Sequence, residues 1–311
     1  MKNFKFNAIT ALIIGVNVAV ANAADGNILN ITTQDADNAS KTIEATNVKG
    51  PGHTAIGQQN QIYSIPAAEA EESQGSSSAI GNQNVVKGEQ ANAIGDGNDA
   101  YGHFTQSVGD DNKVYADHSL GYGAHNKVGA QRAKGTPEKD VVVDKNTSKA
   151  SVFGLNNVVL GKEVLALGNN NNVNGENSTA IGTQSTADGI NTLAIGTGAK
   201  AHVTNPAAAN SNKPGNLVAI GTSAEATAAE TVAIGQAAKA SGQNSNAYGS
   251  QANASGTSSL AVGTGSVASG DSAVAIGNDS TVTGGSAVAI GASATSTGKW
   301  STALGDSANA K

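Results

Sequence analysis

Cysteine is absent from all 311 residues, so no disulfide supports this fold and its stability must come from elsewhere. Aromatic residues are only 3% and charged residues only 14% of the chain. That is too few for a conventional core, which draws much of its buried area from Phe, Trp, Tyr and Leu. The formal net charge is −6 with no basic stripe, which gives no support to a nucleic-acid-binding role. Beyond the N-terminus no stretch is long and apolar enough for a transmembrane helix. What the chain has instead is glycine, 39 of them, set among Ala, Val, Ile, Ser, Thr and Asn. Such a composition suits either disorder or a repetitive β structure with a thin interior, and periodicity decides between them.

Residues 1–23 form a targeting segment. Lys2 and Lys5 supply a positive start, Ala8 to Val20 is mostly apolar, and Ala21-Asn22-Ala23 makes a small-x-small cleavage site. The apolar stretch is too short to span a bilayer, so it reads as an export signal rather than an anchor. An N-terminal segment is expected over 24–53, and repeats over 54–311.

The repeat is plainest in "DSAVAIGNDSTVTGGSAVAIGASATSTG", Asp271 to Gly298, where Val274-Ala275-Ile276-Gly277 returns fourteen residues later as Val288-Ala289-Ile290-Gly291. A glycine after an apolar residue marks each unit: Gly57, Gly81, Gly95, Gly109, Gly121, Gly154, Gly168, Gly182, Gly196, Gly221, Gly235, Gly249, Gly263, Gly277, Gly291 and Gly305. A second glycine often follows after seven residues, as at Gly88, Gly175 and Gly256. The third and first positions before the main glycine are usually large and aliphatic. They are Leu193 and Ile195, Val218 and Ile220, Val232 and Ile234, Leu260 and Val262, Val274 and Ile276, Val288 and Ile290, with Ile94, Leu167 and Ile181 in the same role. Between them stands Ala, as at Ala194, Ala219, Ala233 and Ala261. This is the alternation of a β-strand with one large face and one small face. After the glycine, Ala199 and Ala201, Ala224 and Ala226, and Ala238 and Ala240 flank Lys200, Glu225 and Lys239, which are expected to face solvent.

Each unit therefore reads as two short strands joined by glycine turns, and such units stack into a parallel solenoid. Small residues fill a roll only two strands thick. The aliphatics then line the core or face partner chains. An outward row of them makes a continuous apolar stripe, which a symmetric oligomer covers.

The segments "STAIGTQSTADG" (Ser178 to Gly189), "LVAIGTSAEAT" (Leu217 to Thr227) and "AVAIGNDSTVTG" (Ala273 to Gly284) closely resemble the head repeats of trimeric autotransporter adhesins, the family typified by the Yersinia adhesin. The resemblance covers about Thr54 to Asn309. It implies a left-handed parallel β-roll of 14-residue coils in each chain of a homotrimer, with the aliphatic row turned towards the trimer interior. It also implies a non-enzymatic adhesin head on a Gram-negative cell surface or outer membrane. Attachment to host matrix, cells or surfaces, autoagglutination and virulence would be its roles. The family's stalk and membrane anchor are not found before Lys311, so the alternative is a secreted or truncated structural repeat protein of biofilm type.

Three insertions interrupt the period, near 58–77, 125–151 and 203–216, and are expected to leave the coils as surface loops. Asp96, Asp99, Asp110 and Asp111 match no calcium-loop spacing and read as solvated turn residues. His103, His118 and His125 match no zinc spacing and read as polar positions on coils. Asparagines in "GLNNVVLG" and "GNNNNVNG" read as turn residues, and Trp300 as a cover for one end of the stack. No acid/base pair recurs from unit to unit. No catalytic residue, metal or cofactor is expected.

Overall fold

The computed structural model describes residues 16–23, 26–34, 40–41, 53–63, 76–129, 143–203 and 215–311. Every regular element among them is a β-strand. The chain falls into two compact units, Met1–Ala150 and Ser151–Lys311.

In the first unit, Val16–Ala23 and Gly26–Gln34 form an antiparallel pair, and Gly26–Gln34 runs parallel to Thr54–Gln58, Ile28 opposite Ala55. The first fifteen residues of the expected export signal lie outside the described residues. From Thr54 the coils begin. The strands Thr54–Gln58, Ser78–Asn82, Asn92–Asp96, Gln106–Asp110 and Leu120–Ala124 stack in parallel with like opposite like: Ile56 on Ile80, Ile80 on Ile94, Ile94 on Val108. A second parallel sheet, starting with Gln61–Tyr63, Val85–Lys87 and Asp99–Tyr101, forms the other wall. The second unit repeats the plan. Its first sheet runs from Ser151–Leu155 to Thr302–Leu304, and its second from Val158–Leu160 to Asn309–Ala310.

The alternation read from the sequence decides which side faces in. Ala194, Ala219, Ala233 and Ala261 are fully buried, while Leu193, Ile195, Val218 and Ile220 on either side are only partly covered. On the second wall Ala199 and Ala201 are fully buried and Lys200 is exposed. The interior is built of Ala, with Val86, Val114, Val159, Val173 and Val282 where more volume is needed.

The expected register needs one correction and the insertions need new edges. Gly109 lies opposite Gly123, whereas Gly121 lies opposite Ser107 on the inner face. A Cβ on Gly121 would come within 2.6 Å of the Val114 Cγ2, so this glycine makes room for a valine and is not the repeat marker. Gln61–Tyr63 pairs with Val85–Lys87 and Lys127–Val128 with Lys113–Val114. The coils thus continue past residues 58 and 125. At the far end of the long insertion Ser148 bridges Asp117, and Leu120 N donates to Ala150 O at 2.7 Å. Residues 64–75, 130–142 and 204–214 of the three insertions lie outside the described residues.

Glycine also does something other than the expected turning. At Gly95 (φ +122°) a Cβ would lie 1.9 Å from the carbonyl oxygen of Gly109 on the next coil. The close backbone approach and the positive φ both demand glycine. The left-handed turn comes two residues after this glycine and again seven later, and mostly at other residues. Gln83, Asp111, Asn170, Ser223 and Ala237 occupy the first place, and Gln90, Glu163, Asn177 and Ser258 the second, all with φ between +50° and +60°. Short polar side chains tolerate this region better than branched ones.

The largest feature not read from the sequence is an internal asparagine ladder. Asn60, Asn84, Asn98, Asn112 and Asn126 are fully buried, each three residues after a repeat glycine. Asn98 Nδ2 donates to Asn84 Oδ1 at 3.1 Å, to Ile94 O at 3.2 Å and to Gly109 O at 2.7 Å. Its Oδ1 accepts from Asn112 N at 3.1 Å and from Asn112 Nδ2 at 3.0 Å. In the second unit Asn157 and Asn171 hold the same place, with Asn157 Nδ2 donating to Gly168 O at 2.8 Å. The turn reading of "GLNNVVLG" holds for Asn156 (φ +55°) and fails for the buried Asn157. Further along, Ser185 and then Ala199, Ala224, Ala238 and Ala252 replace asparagine. Ser185 Oγ still donates to Gly196 O at 2.7 Å, and from Ala199 onward the backbone serves the glycine carbonyl, as where Ala224 N donates to Gly221 O at 3.2 Å. First-sheet strands shorten from five residues (Thr179–Thr183) to three (Leu193–Ile195) at this change.

Two substitutions test these contacts. Gly168→Ala would place a Cβ 2.0 Å from Gly182 O at φ +119°, and is expected to destabilise the second unit by about 3 kcal/mol or more in thermal or urea denaturation. Asn98→Ala strands the Gly109 carbonyl and the backbone N–H of Asn112, with an expected loss of about 2–5 kcal/mol by the same measurement. Wild-type stability in either variant would remove the corresponding argument.

Candidate functional site

The side chains expected to line the core or meet partner chains all lie outside the coil interior. In the second unit two aliphatic rows run side by side along the first sheet. One stacks Leu193, Val218 and Val232 and, after a break, Leu260, Val274 and Val288. The other stacks Ile181, Ile195, Ile220 and Ile234, then Val262, Ile276 and Ile290. The break is the coil of Asn246 and Tyr248, which pair with Val232 and Ile234 on one side and with Leu260 and Val262 on the other. Leu167 is 45% exposed, and Ile234 and Ile290 are exposed as well. In the first unit the face is narrower. Ile56, Ile80, Ile94 and Val108 form one aliphatic row, Ile94 being 41% exposed, but the neighbouring row is Thr54, Ser78, Asn92 and Gln106.

The repeat glycines Gly81, Gly95, Gly168, Gly182, Gly196, Gly221, Gly235, Gly249, Gly263, Gly277, Gly291 and Gly305 all have φ between +118° and +138°. They fix the backbone at the edge of this face.

The second sheet carries polar and charged columns on its outer surface. Lys200, Glu225 and Lys239 stand on successive coils, with Glu225 3.3 Å from the first ammonium and 3.6 Å from the other. Thr281 of "TVT" stacks on Thr295 of "TST" in the next coil. In the first unit Tyr101 and Tyr115 meet edge to face at 5.0 Å and are buried with Val85, against which Tyr63 and Val143 pack.

Asp99 does not behave as a solvated turn residue. It is 4% exposed in a second-sheet strand, directly opposite Lys113. Tyr115 Oη donates to its Oδ2, and Lys113 Nζ lies 3.4 Å from its Oδ1. The same ammonium is 3.0 Å from Asp111 Oδ1 and donates to Gly97 O at 2.6 Å. Burial pushes the Asp111 carboxyl up, but the hydrogen bond and charge of Lys113, helped by His125 at 3.4 Å, bring it below its ordinary value.

His103 and His118 are also spread along coils. His103 Nδ1 is 3.6 Å from Glu89, and His118 stacks on Phe104 with ring centroids 5.1 Å apart. Among the described residues no group of three or more His, Cys, Asp or Glu is placed to hold a metal ion. Trp300 does not cover an end: it is 71% exposed at a left-handed turn (φ +59°), with Lys299 Nζ 4.3 Å from its ring centre. One groove of about 480 Å³ in the first unit is lined by Ser76, Gln90, Asn92, Phe104 and Gln106.

Among the described residues these surfaces offer extended, repeated contact and no converging acid, base or nucleophile. The family described as "YadA head domain repeat (2 copies)" matches in overlapping copies over residues 165–205 and 218–308. No curated protein matches the chain significantly.

Lys113→Met removes the main partner of Asp111, so the Asp111 carboxyl is expected to titrate higher than in the native chain by carbon-detected NMR. Because the native carboxyl is depressed, its stabilisation is complete above its ordinary value of 3.8 and is lost as pH falls below that. The pair is half-exposed, so the effect on stability is expected to stay under about 1 kcal/mol. An unmoved Asp111 titration would contradict the assignment.

Proposed function

Residues 165–308 of this chain carry YadA head repeats, matching a trimeric autotransporter adhesin head, and from that premise we propose that the chain acts as a non-enzymatic adhesin head in a homotrimer. The observation that supports the reading most is the two-row aliphatic face of the second unit. It is stacked in register from coil to coil, and its side chains are left partly or largely uncovered by their own chain. Apolar surface of that continuity calls for a partner, and a copy of the same chain carries the matching stripe. The segment 1–23 would direct export, and the bacterial surface is the setting in which the head works.

Adhesion follows from repetition. Outer columns recur at every coil and on each of three chains, so weak contacts with host matrix, host cells or neighbouring bacteria add up. Autoagglutination is the same contact made between two cells.

Sedimentation equilibrium of the chain lacking residues 1–23 is expected to give the mass of three chains. Ile234→Asp combined with Ile290→Asp is expected to yield monomers with an unchanged β spectrum, because neither side chain enters the coil interior. A wild-type chain that stays monomeric at micromolar concentration would overturn the reading. Cells displaying the trimer should bind matrix-coated surfaces and clump, and the double variant should do neither.

A further inference from the structure

We propose that removal of residues 1–23 uncovers the backbone edge of Gly26–Gln34, and that this edge pairs antiparallel with the same strand of a second copy. The starting point is the order of strands at the first end of the stack. Gly26–Gln34 is paired along one side with Val16–Ala23, from Ala23 opposite Gly26 to Val16 opposite Thr33. Asn27, opposite Asn22, is also opposite Thr54, and Thr33, opposite Val16, is also opposite Lys41. A strand has only two sides, so Thr54–Gln58 and Ser40–Lys41 share the side turned away from Val16–Ala23. Among the described residues Val16–Ala23 therefore stands outermost, and it lies within the segment that an export signal ending at Ala23 contains.

Cleavage after Ala23 takes that strand away and leaves a new N-terminus at Ala24, two residues before Gly26. The side of Gly26–Gln34 that faced it keeps its N–H and C=O groups but loses their partners, from Gly26 to Thr33. Such an edge is a template for another strand. It points along the stack, in the plane of the first sheet, whereas the aliphatic rows leave that sheet from its outer face. The lateral contact between chains proposed above therefore does not use it.

The strand fits a copy of itself. A two-fold axis at Asn30 sets Leu29 opposite Ile31, Ile28 opposite Thr32, Asn27 opposite Thr33 and Asn30 opposite its own counterpart. Apolar positions meet at Leu29 and Ile31, amide meets amide at the axis, and no charged residue occurs from Gly26 to Gln34 to oppose the pairing. In the uncut chain Asn30 stands opposite Ala19 instead. A two-fold contact closes once two copies have met, and three such edges at one end of a homotrimer add their contributions. The inference rests on the export and adhesin readings above and gives autoagglutination an end-to-end contact. Clumping then becomes a property that the chain acquires on export.

The test couples the mature chain, Ala24 to Lys311, to beads through its C-terminus. One pair of strands is marginal alone, so soluble heads still sediment as three chains while beads that array many of them are expected to clump. A free peptide with the sequence Val16 to Ala23 should prevent clumping, and the same residues in scrambled order should not. Asn30→Lys and Asn30→Asp each set like charges opposite one another at the axis, and each should slow clumping at least tenfold. Mixing beads of the two variants should restore it, since opposite charges then meet, and both variants should keep the native sedimentation mass. The proposal is overturned if native beads stay dispersed, if the Val16–Ala23 peptide has no effect, if either variant clumps alone at the native rate, or if the mixture stays dispersed. A three-chain mass beside dispersed native beads would sink this inference alone, and a monomeric mass beside the expected clumping would sink the trimer reading alone.

Discussion

Each unit depends on one constraint, the backbone hydrogen-bond ladder that holds every coil in parallel register on the coil before it. Once that ladder is fixed, residues fourteen apart become neighbours, and each position of the repeat becomes a column. A column must then be filled by side chains that fit against copies of themselves at strand spacing, about 4.8 Å. Ala in the column of Ala194 and Ala219 meets this simply. The glycine column meets it more severely, since at Gly95 even a methyl group would run into the next carbonyl.

The ladder also determines what is expensive inside so narrow a roll. The carbonyl of the repeat glycine is partly shielded from water, and a buried acceptor needs a donor. The chain answers in two ways. Asn98 and its relatives supply a side-chain amide and link to one another along the stack. From Ala199 onward the backbone closes its own turn, and the strands shorten. With the interior filled mainly by Ala, Val, Ser and Asn, only a few large aliphatics such as Ile62 and Leu217 find a place in it. Most of the others lie outside, which is why the surface of this chain carries its apolar rows.

Much of this was legible along the sequence. Period, strand alternation, inner alanines and outer lysines follow from the spacing of glycine and from which residues are large. The family match over residues 165–308 and the parallel solenoid agree with the resemblance seen in "LVAIGTSAEAT". What was missed lies in columns, not along the chain. Asn60, Asn84, Asn98 and Asn112 each stand three residues after a glycine, and only that shared offset tells a buried amide from a turn asparagine such as Asn156. Asp99 and Lys113 are fourteen apart, and that distance alone predicts the pair. Gly121 and Gly123 flank Tyr122, and local sequence does not say which one marks the coil; the stacking of Tyr122 on Val108 does. Phe104 and Trp300 sit in left-handed turns that no propensity assigns to an aromatic residue.

The irregular coil of Asn246 and Tyr248 has an effect on alignment. Two aliphatic rows without interruption would look the same after sliding by one repeat, so identical rods could meet staggered with little penalty. A polar residue and a phenol set among Val232, Ile234, Leu260 and Val262 break that translational sameness. In the proposed homotrimer, staggered chains would bring Asn246 against a partner's branched side chains, whereas flush chains would bring it to its own counterpart. In the homotrimer proposed above, that one unlike repeat would act as a vernier mark for assembly.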